Sequence, residues 1–345
     1  MLTERQLLIL KAIIDDYIRS AEPVGSRSVS KRDDISYSPA TIRNEMADLE
    51  ELGFLEKPHS SAGRIPSQKG YRYYVDHLLS PEEILKKSDI VDIKSLFVQK
   101  IHEVEQVIEQ SAQILSSLTS YTSIVLGPEV FETTLKHLQI IPLTQDSAVA
   151  IIVTNTGHVE KQAITIPEGL KLADIEMMVN ILNERLKGVS MLELRGKIFS
   201  EVGTLLKMHI ANYKDMMQML EQSFKQEKND QVFFGGKTNI FSQPEFRDVE
   251  KVRQLLEMFE EKQLIHQIFR SENSGITVKI GQENNLEAID HCSVITATYT
   301  VDGKHLGTIG ILGPTRMEYS RTIAVLDYLS KGMTNTLTNL YQRNK

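Results

Sequence analysis

Apolar residues in the first eighty positions recur at helical spacing in three short runs. Leu7, Leu10, Ile13, Ile14, Tyr17 and Ile18 predict a first helix, with Thr3 as its cap and Gln6 placed to return the bond. The stretch "SAEPVGS" breaks it, Ser26 is expected to cap a short second helix through "RSVSKR", and "DDISYS" breaks that helix in turn. Ser38 and Pro39 then give the strongest start signal in the chain. They open a third helix with Ile42, Met46, Leu49 and Leu52 on one face and Gly53 at its end. Two short extended runs, "FLEKPHS" and "GRIPSQ", flank the turn-rich "SSAG" and lead into an aromatic helix, "KGYRYYVDHLL". Three short helices and a hairpin predict a winged helix-turn-helix over residues 1–79.

Leu79-Ser80-Pro81 marks a boundary, and a long helix is expected from about Ile90 to Ser120. Its residues Phe97, Ile101, Val104, Ile108, Leu115 and Leu118 alternate spacings of four and three, with Ser111 out of pattern. Such a repeat can pair helices between subunits or pack onto its own domain, and the pattern leaves both open. Strand-like runs follow at "TSIVLG", "LKHLQIIPL" and "SAVAIIVTNTGHVEKQAITIP", the last with a hairpin signal at Asn155-Thr156-Gly157. Helices take over between about Lys171 and Gln226. Strands resume at "SGITVKIG", "CSVITATYTV" and "LGTIGILGP", the last two joined by Asp302-Gly303, and a final helix runs from about Tyr319 to Tyr341. A sheet that stops, gives way to helices and resumes predicts an α+β multidomain chain. One α+β domain would span 80–170 and 246–345, with a helix-rich insertion at 171–245.

Composition narrows the class. At 345 residues, 41% hydrophobic and 25% charged, the chain excludes wholesale disorder. No apolar run reaches membrane-spanning length, and the N-terminus is a capped amphipathic pattern, so a cytoplasmic protein without a membrane partner is expected. A single cysteine, Cys292, allows no internal disulfide and no multi-thiolate metal site. The net charge of -7 argues against a uniformly basic surface. From Lys57 to Tyr74, however, Lys57, Arg64, Lys69 and Arg72 occur without any Asp or Glu.

The third helix begins its solvent face with Ala40, Arg43 and Asn44 and ends it with Asp48, Glu50 and Glu51. Cation and amide early, carboxylates late, runs against the helix dipole. A helix that enters a major groove by its N-terminal turns explains the order, since Arg bonds guanine and Asn bonds adenine there, while Ser38 and Thr41 can reach phosphate. On this helix alone, a solvated amphipathic surface accounts for the pattern equally well. The hairpin favours DNA. Ser60 and Ser61 can approach a sugar-phosphate backbone, Arg64 can enter a minor groove, and Lys57, Lys69 and Arg72 suit phosphate, as do Ser26 and Arg27. Tyr71, Tyr73 and Tyr74 are read as closing the small core. Met177, Met178, Met191, Met208, Met216, Met217 and Met219 make the insertion Met-rich, and an exposed face of that kind can receive a partner, although most of them individually are better read as core. Enzyme motifs fail on spacing. "GGKT" at Gly235 to Thr238 matches only the end of a phosphate loop, no metalloprotease or serine-hydrolase signature occurs, and no cofactor or metal ligand set is found.

The run "SPATIRNEMADLEELGFLEKPHSSAGRIPSQKGYRYYVDHLL", with "GILGPTRMEYSRTIAVLDY" near the C-terminus, closely resembles HrcA, the bacterial heat-inducible transcription repressor family. The resemblance extends over essentially the whole chain. It implies a dimeric repressor with a winged-helix domain and a GAF-like domain carrying an inserted dimerisation domain. It also implies double-stranded DNA as partner, in the form of the CIRCE inverted-repeat operator of chaperone operons, and a GroEL-type chaperonin that promotes the active repressor. Two other readings remain at this point. The GAF-like part can serve as a small-molecule sensor for another regulon, or the α+β domain can be an enzyme.

Overall fold

The structure, a computed structural model, describes residues 2–58, 63–79, 85, 87–98, 104–127, 134–155, 157, 159–203, 207, 213–223, 231–246, 248–271 and 275–343. Helix α1 (Glu4–Ser20) opens with the expected reciprocal cap, Thr3 Oγ1 accepting from the Gln6 N–H at 3.2 Å and Gln6 Oε1 from the Thr3 N–H at 3.0 Å. Helices α2 (Ser26–Val29) and α3 (Pro39–Glu51), the two-residue strands β1 (Leu55–Glu56) and β2 (Ile65–Pro66), and helix α4 (Gln68–His77) complete the winged helix-turn-helix. Ser26 does not cap α2. Gly25 holds the cap position, and Ser26 is the first helical residue with 8% of its surface exposed.

The expected single helix from Ile90 to Ser120 is two, α5 (Lys87–Val98) and α6 (Val104–Thr119), packed on one another. Ile101 and the join lie outside the described residues. Ile93, Val104, Ile108 and Leu115 are buried within the chain, so the alternating repeat serves its own domain.

A five-stranded antiparallel sheet forms the centre. Its order is β7 (Val232–Gly235), β3 (Thr122–Leu126), β10 (Lys304–Pro314), β9 (Cys292–Val301) and β8 (Ile276–Ile280). Strands β9 and β10 meet at Asp302 and Gly303, both at positive φ (48° and 79°), as the Asp-Gly turn signal requires. Helices α5, α6 and α12 (Tyr319–Arg343) cover one face, while α10 (Val249–Glu260) and α11 (Lys262–Phe269) cover the other. Cys292 sits under the second face, where burial pushes its thiol pKa up and keeps it protonated.

Strands β4 (Leu135–Pro142), β5 (Ser147–Thr154) and β6 (Val159–Thr165) form a separate sheet. Helices α7 (Leu172–Leu186), α8 (Met191–Lys197) and α9 (Tyr213–Ser223) close an independent apolar core over it. The second core therefore starts at Leu135, upstream of the expected 171, and the chain returns to the main sheet at β7, before the expected 245. Strand periodicity is the same in either sheet, so the sequence pattern could not assign membership. Most of the described methionines take their expected place in the core. Met178, Met216 and Met219 are fully buried, Met177 is exposed, and Met208 lies outside the described residues.

The winged helix shares one continuous apolar core with α5, α6, α12 and the main sheet. Tyr71 and Tyr74 are buried in it, the Tyr71 ring lies 6.0 Å from that of Tyr319, and the Tyr74 hydroxyl donates to Asp15 at 2.7 Å. Polar clasps reinforce the contact. Gln68 Nε2 donates to the Ile280 carbonyl at 3.0 Å, Arg72 Nη2 donates to the Val278 carbonyl at 2.7 Å, and the Arg72 guanidinium pairs with Glu283. Glu283 in turn accepts the Ile280 N–H at 2.9 Å. Arg316, from the "GPTRMEYSR" segment, bonds Glu245 at 2.5 Å and the Ile18 carbonyl at the end of α1 at 3.1 Å. Because β8 is a sheet edge, its outward carbonyls need partners, and α4 supplies them.

Candidate nucleic-acid interface

Helix α3 begins where the Ser38 Oγ accepts the Thr41 N–H at 3.1 Å and Pro39 presets the first turn. It ends at Gly53, whose φ of 79° lets the N–H groups of Gly53 and Phe54 fold back onto the carbonyls of Glu50 and Leu49 at 2.9 and 2.8 Å. Ile42, Met46 and Leu49 face the core. Glu45 is also buried on this side and is paired with Arg5 of α1. Leu52, expected in the apolar stripe, is 47% exposed. The reversal at Gly53 gives its place to Phe54, which is buried edge-on against Tyr73 at 5.3 Å between centroids.

The outward face of α3 carries Ala40, Arg43, Asn44 and Ala47, all exposed. The side chains of Arg43 and Asn44 are tied to no other described side chain. Alanines on either side keep this face low, so one cation and one amide project from a helix that can approach a groove floor closely. Ala47 was not singled out from the sequence, although its spacing from Arg43 and Asn44 places it on the same face. The hydroxyls of Ser38 and Thr41 bond one another at 2.9 Å beside the free helix start.

The late carboxylates have a definite use. Glu50 holds Arg64 at 2.6 and 2.7 Å, and the Arg64 backbone pairs with Val24 through two 2.9 Å bonds. This fastens the base of the hairpin to the C-terminal end of α3. Arg64, expected in a minor groove, is thus engaged at the foot of the wing with 14% of its side chain exposed. Arg72, expected as a phosphate contact, faces the main sheet and its charge is matched by Glu283 and Asp76. Nothing in the sequence signals Glu283, which lies 211 residues away.

The remaining cations differ. Lys69 donates to the Leu52 carbonyl at 2.8 Å and lies 4.5 Å over the Phe54 ring, at the negative end of the α3 dipole. It has no carboxylate partner among the described residues, and neither do the exposed Lys57, Arg27 and Arg43. Ser60 and Ser61 lie outside the described residues. The site therefore brings Arg27, Ser38, Ala40, Thr41, Arg43, Asn44, Lys57 and Lys69 onto or around α3, leaves Ser26 mostly buried, and turns Arg72 away.

A helix framed by a short cap helix and a wing, with unmatched cations along its exposed side, defines a winged helix-turn-helix transcription regulator. Residues 1–77 match the family model for the winged helix-turn-helix transcription repressor HrcA DNA-binding domain, and residues 105–323 match that for the HrcA protein C terminal domain. The chain belongs to the HrcA family of heat-inducible transcription repressors. It is 62% identical over 344 residues to the heat-inducible transcription repressor HrcA of Halalkalibacterium halodurans, covering 100% of both chains. It is 54% identical over 342 residues to that of Bacillus pumilus, covering 99% of each. A crystal structure of a hypothetical protein at 2.2 Å resolution shares 25% identity with a TM-score of 0.71, covering 99% of this chain and 100% of that one. Among the described residues, no helix is long and apolar enough to cross a membrane.

Proposed function

We propose that this protein is a cytoplasmic repressor of chaperone operons that binds a CIRCE-type inverted repeat as a homodimer, with α3 in the major groove. The exposed Ala40, Arg43, Asn44 and Ala47 face carries the reading, because it leaves a base-bonding pair without partners among the described residues on an otherwise low surface. Lys57, Lys69 and Arg27 are phosphate contacts, and the Glu50–Arg64 pair fixes the wing against the reading helix. We read the five-stranded sheet with its two helical layers as the GAF-like domain, and family membership supports promotion of the active form by a GroEL-type chaperonin.

The outer face of the second sheet supports a dimer. In β5, Val149, Ile151 and Val153 alternate with the buried Ala148, Ala150 and Ile152, so this strand is apolar on both sides. That pattern suits a strand covered on both faces. Its register neighbours Ile141 and Val159 are exposed, and a second copy of the chain would cover them. Selection of bound sites from random duplex DNA tests the whole reading. An inverted repeat is expected, and recovery of a single asymmetric half-site would remove the dimer from it.

Neutralising Lys57 or Lys69 is expected to weaken specific and non-specific DNA by similar factors. The slope of log K against log salt should shrink by about 0.9 for each phosphate that is no longer neutralised. Slopes equal to wild type would return both lysines to a solvated surface.

A further inference from the structure

We infer that the C-terminal domain carries a binding pocket for a small carboxylate with a short apolar chain, set between strand β8 and the end of helix α11. The inference does not depend on the operator or on dimerisation. A cavity of about 200 Å³ opens there, on the sheet face that also packs α10 and α11. Its apolar wall is Val294 and Ile268, which are 1% and 7% exposed. Its polar side comes from Thr277 and Thr296, direct partners in the β8–β9 register, with Lys279 two residues further along the same face and Arg270 beside them.

Three features point to an anion. No carboxylate occurs among the described residues lining the cavity, in a chain whose net charge is -7. The Lys279 ammonium has no hydrogen-bond or ion-pair partner among the described residues. Thr296 is only 4% exposed and lines this space, and its hydroxyl bonds no described residue. That hydroxyl is open to the cavity, and a ligand oxygen held between Thr296, Thr277 and Lys279 would bond it in place of solvent. The size sets the ligand class. At about 200 Å³ the cavity is below the usual range for drug-sized molecules and fits a carboxylate of a few carbons, whose chain would lie on Val294 and Ile268.

The location gives the pocket a route to the rest of the molecule. Thr277 and Lys279 alternate along β8 with Val278 and Ile280, whose carbonyls accept from Arg72 and Gln68 of α4. A ligand bridging Thr277 and Lys279 would brace the strand on which the DNA-binding domain rests.

Calorimetric titration of the full chain at fixed ionic strength tests this, with butyrate and inorganic phosphate as separate probes. Saturable butyrate binding tighter than about 10 mM is expected, with phosphate weaker. Thr296→Val and Lys279→Met should each weaken butyrate by about tenfold, the scale of one hydrogen bond to a charged group. Thermal melts of both variants matching wild type would assign that weakening to the pocket. Thr296→Val keeps a β-branched side chain in the strand, so it guards against a fold defect in the lysine variant. Phosphate binding without butyrate binding overturns the carboxylate assignment. Absence of saturation by either anion, or butyrate affinity unchanged in both variants, overturns the pocket itself.

Discussion

Replacement of Arg43 or Asn44 by Ala is expected to cost roughly 1 to 3 kcal/mol of operator binding, and the loss should fall on particular base positions. Both side chains leave the helix on its exposed face and hold no other described side chain, so thermal stability should barely change. The contrast with Lys57 and Lys69 is the diagnostic part. Lysine variants should lose affinity evenly across sequences, while Arg43→Ala and Asn44→Ala should relax the preference at separate positions. Binding-site selection with each variant measures this. If both retained the wild-type site preference, α3 would not be the reading helix.

A second large effect is expected from Gly70→Ala. The new Cβ would stand 2.2 Å from the Phe54 carbonyl oxygen, and backbone, unlike the tip of a side chain, cannot rotate aside. Gly70 lies in the first turn of α4, its N–H bonded to the Ser67 Oγ at 3.0 Å, and Ser67 also donates to the Gly53 carbonyl at 2.6 Å. The clash therefore pushes α4 away from the turn that ends α3. Relief by movement should cost about 3 kcal/mol, the upper part of the range for overpacking. The expected outcome is a lowered melting temperature together with weakened operator binding, because Lys69 and Phe54 move with the turn. A melting temperature within about 1 °C of wild type would show that α4 shifts without strain.

The features behind these two effects differ in how legible they are in the sequence. The caps of α1 and α3, the reversal at Gly53 and the Asp302-Gly303 turn could all be read in advance, since each depends on residues within a few positions of one another. The face bearing Arg43 and Asn44 was legible for the same reason. Partners chosen across the fold were not. Arg72 looked like any other cation of the basic window until Glu283 and the Val278 carbonyl were placed beside it. Arg64 was legible as part of a wing, but its bond to Glu50 depends on how the hairpin leans on α3. The run from Ser147 to Thr165 showed its strands correctly and withheld which sheet they join. Alternation reports that one face is buried and carries no label for what buries it.

Strands β3 and β7 are direct antiparallel neighbours, with Leu126 opposite Val232, and the Gly127 N–H bonds the Gln231 carbonyl at 2.7 Å. All of the second sheet and its helices is therefore, in topological terms, the loop of a single β-hairpin. Closing such a loop costs entropy that grows only with the logarithm of its length, about 0.6 kcal/mol for each doubling. Lengthening the unit hung on the main sheet thus adds little to the cost of closing it. Force or displacement applied to that unit enters the covalent frame of the sheet at one strand pair, next to the strand that runs down the sheet's middle. A pendant mass on a single pin can be exchanged or enlarged while the frame that carries it keeps its register.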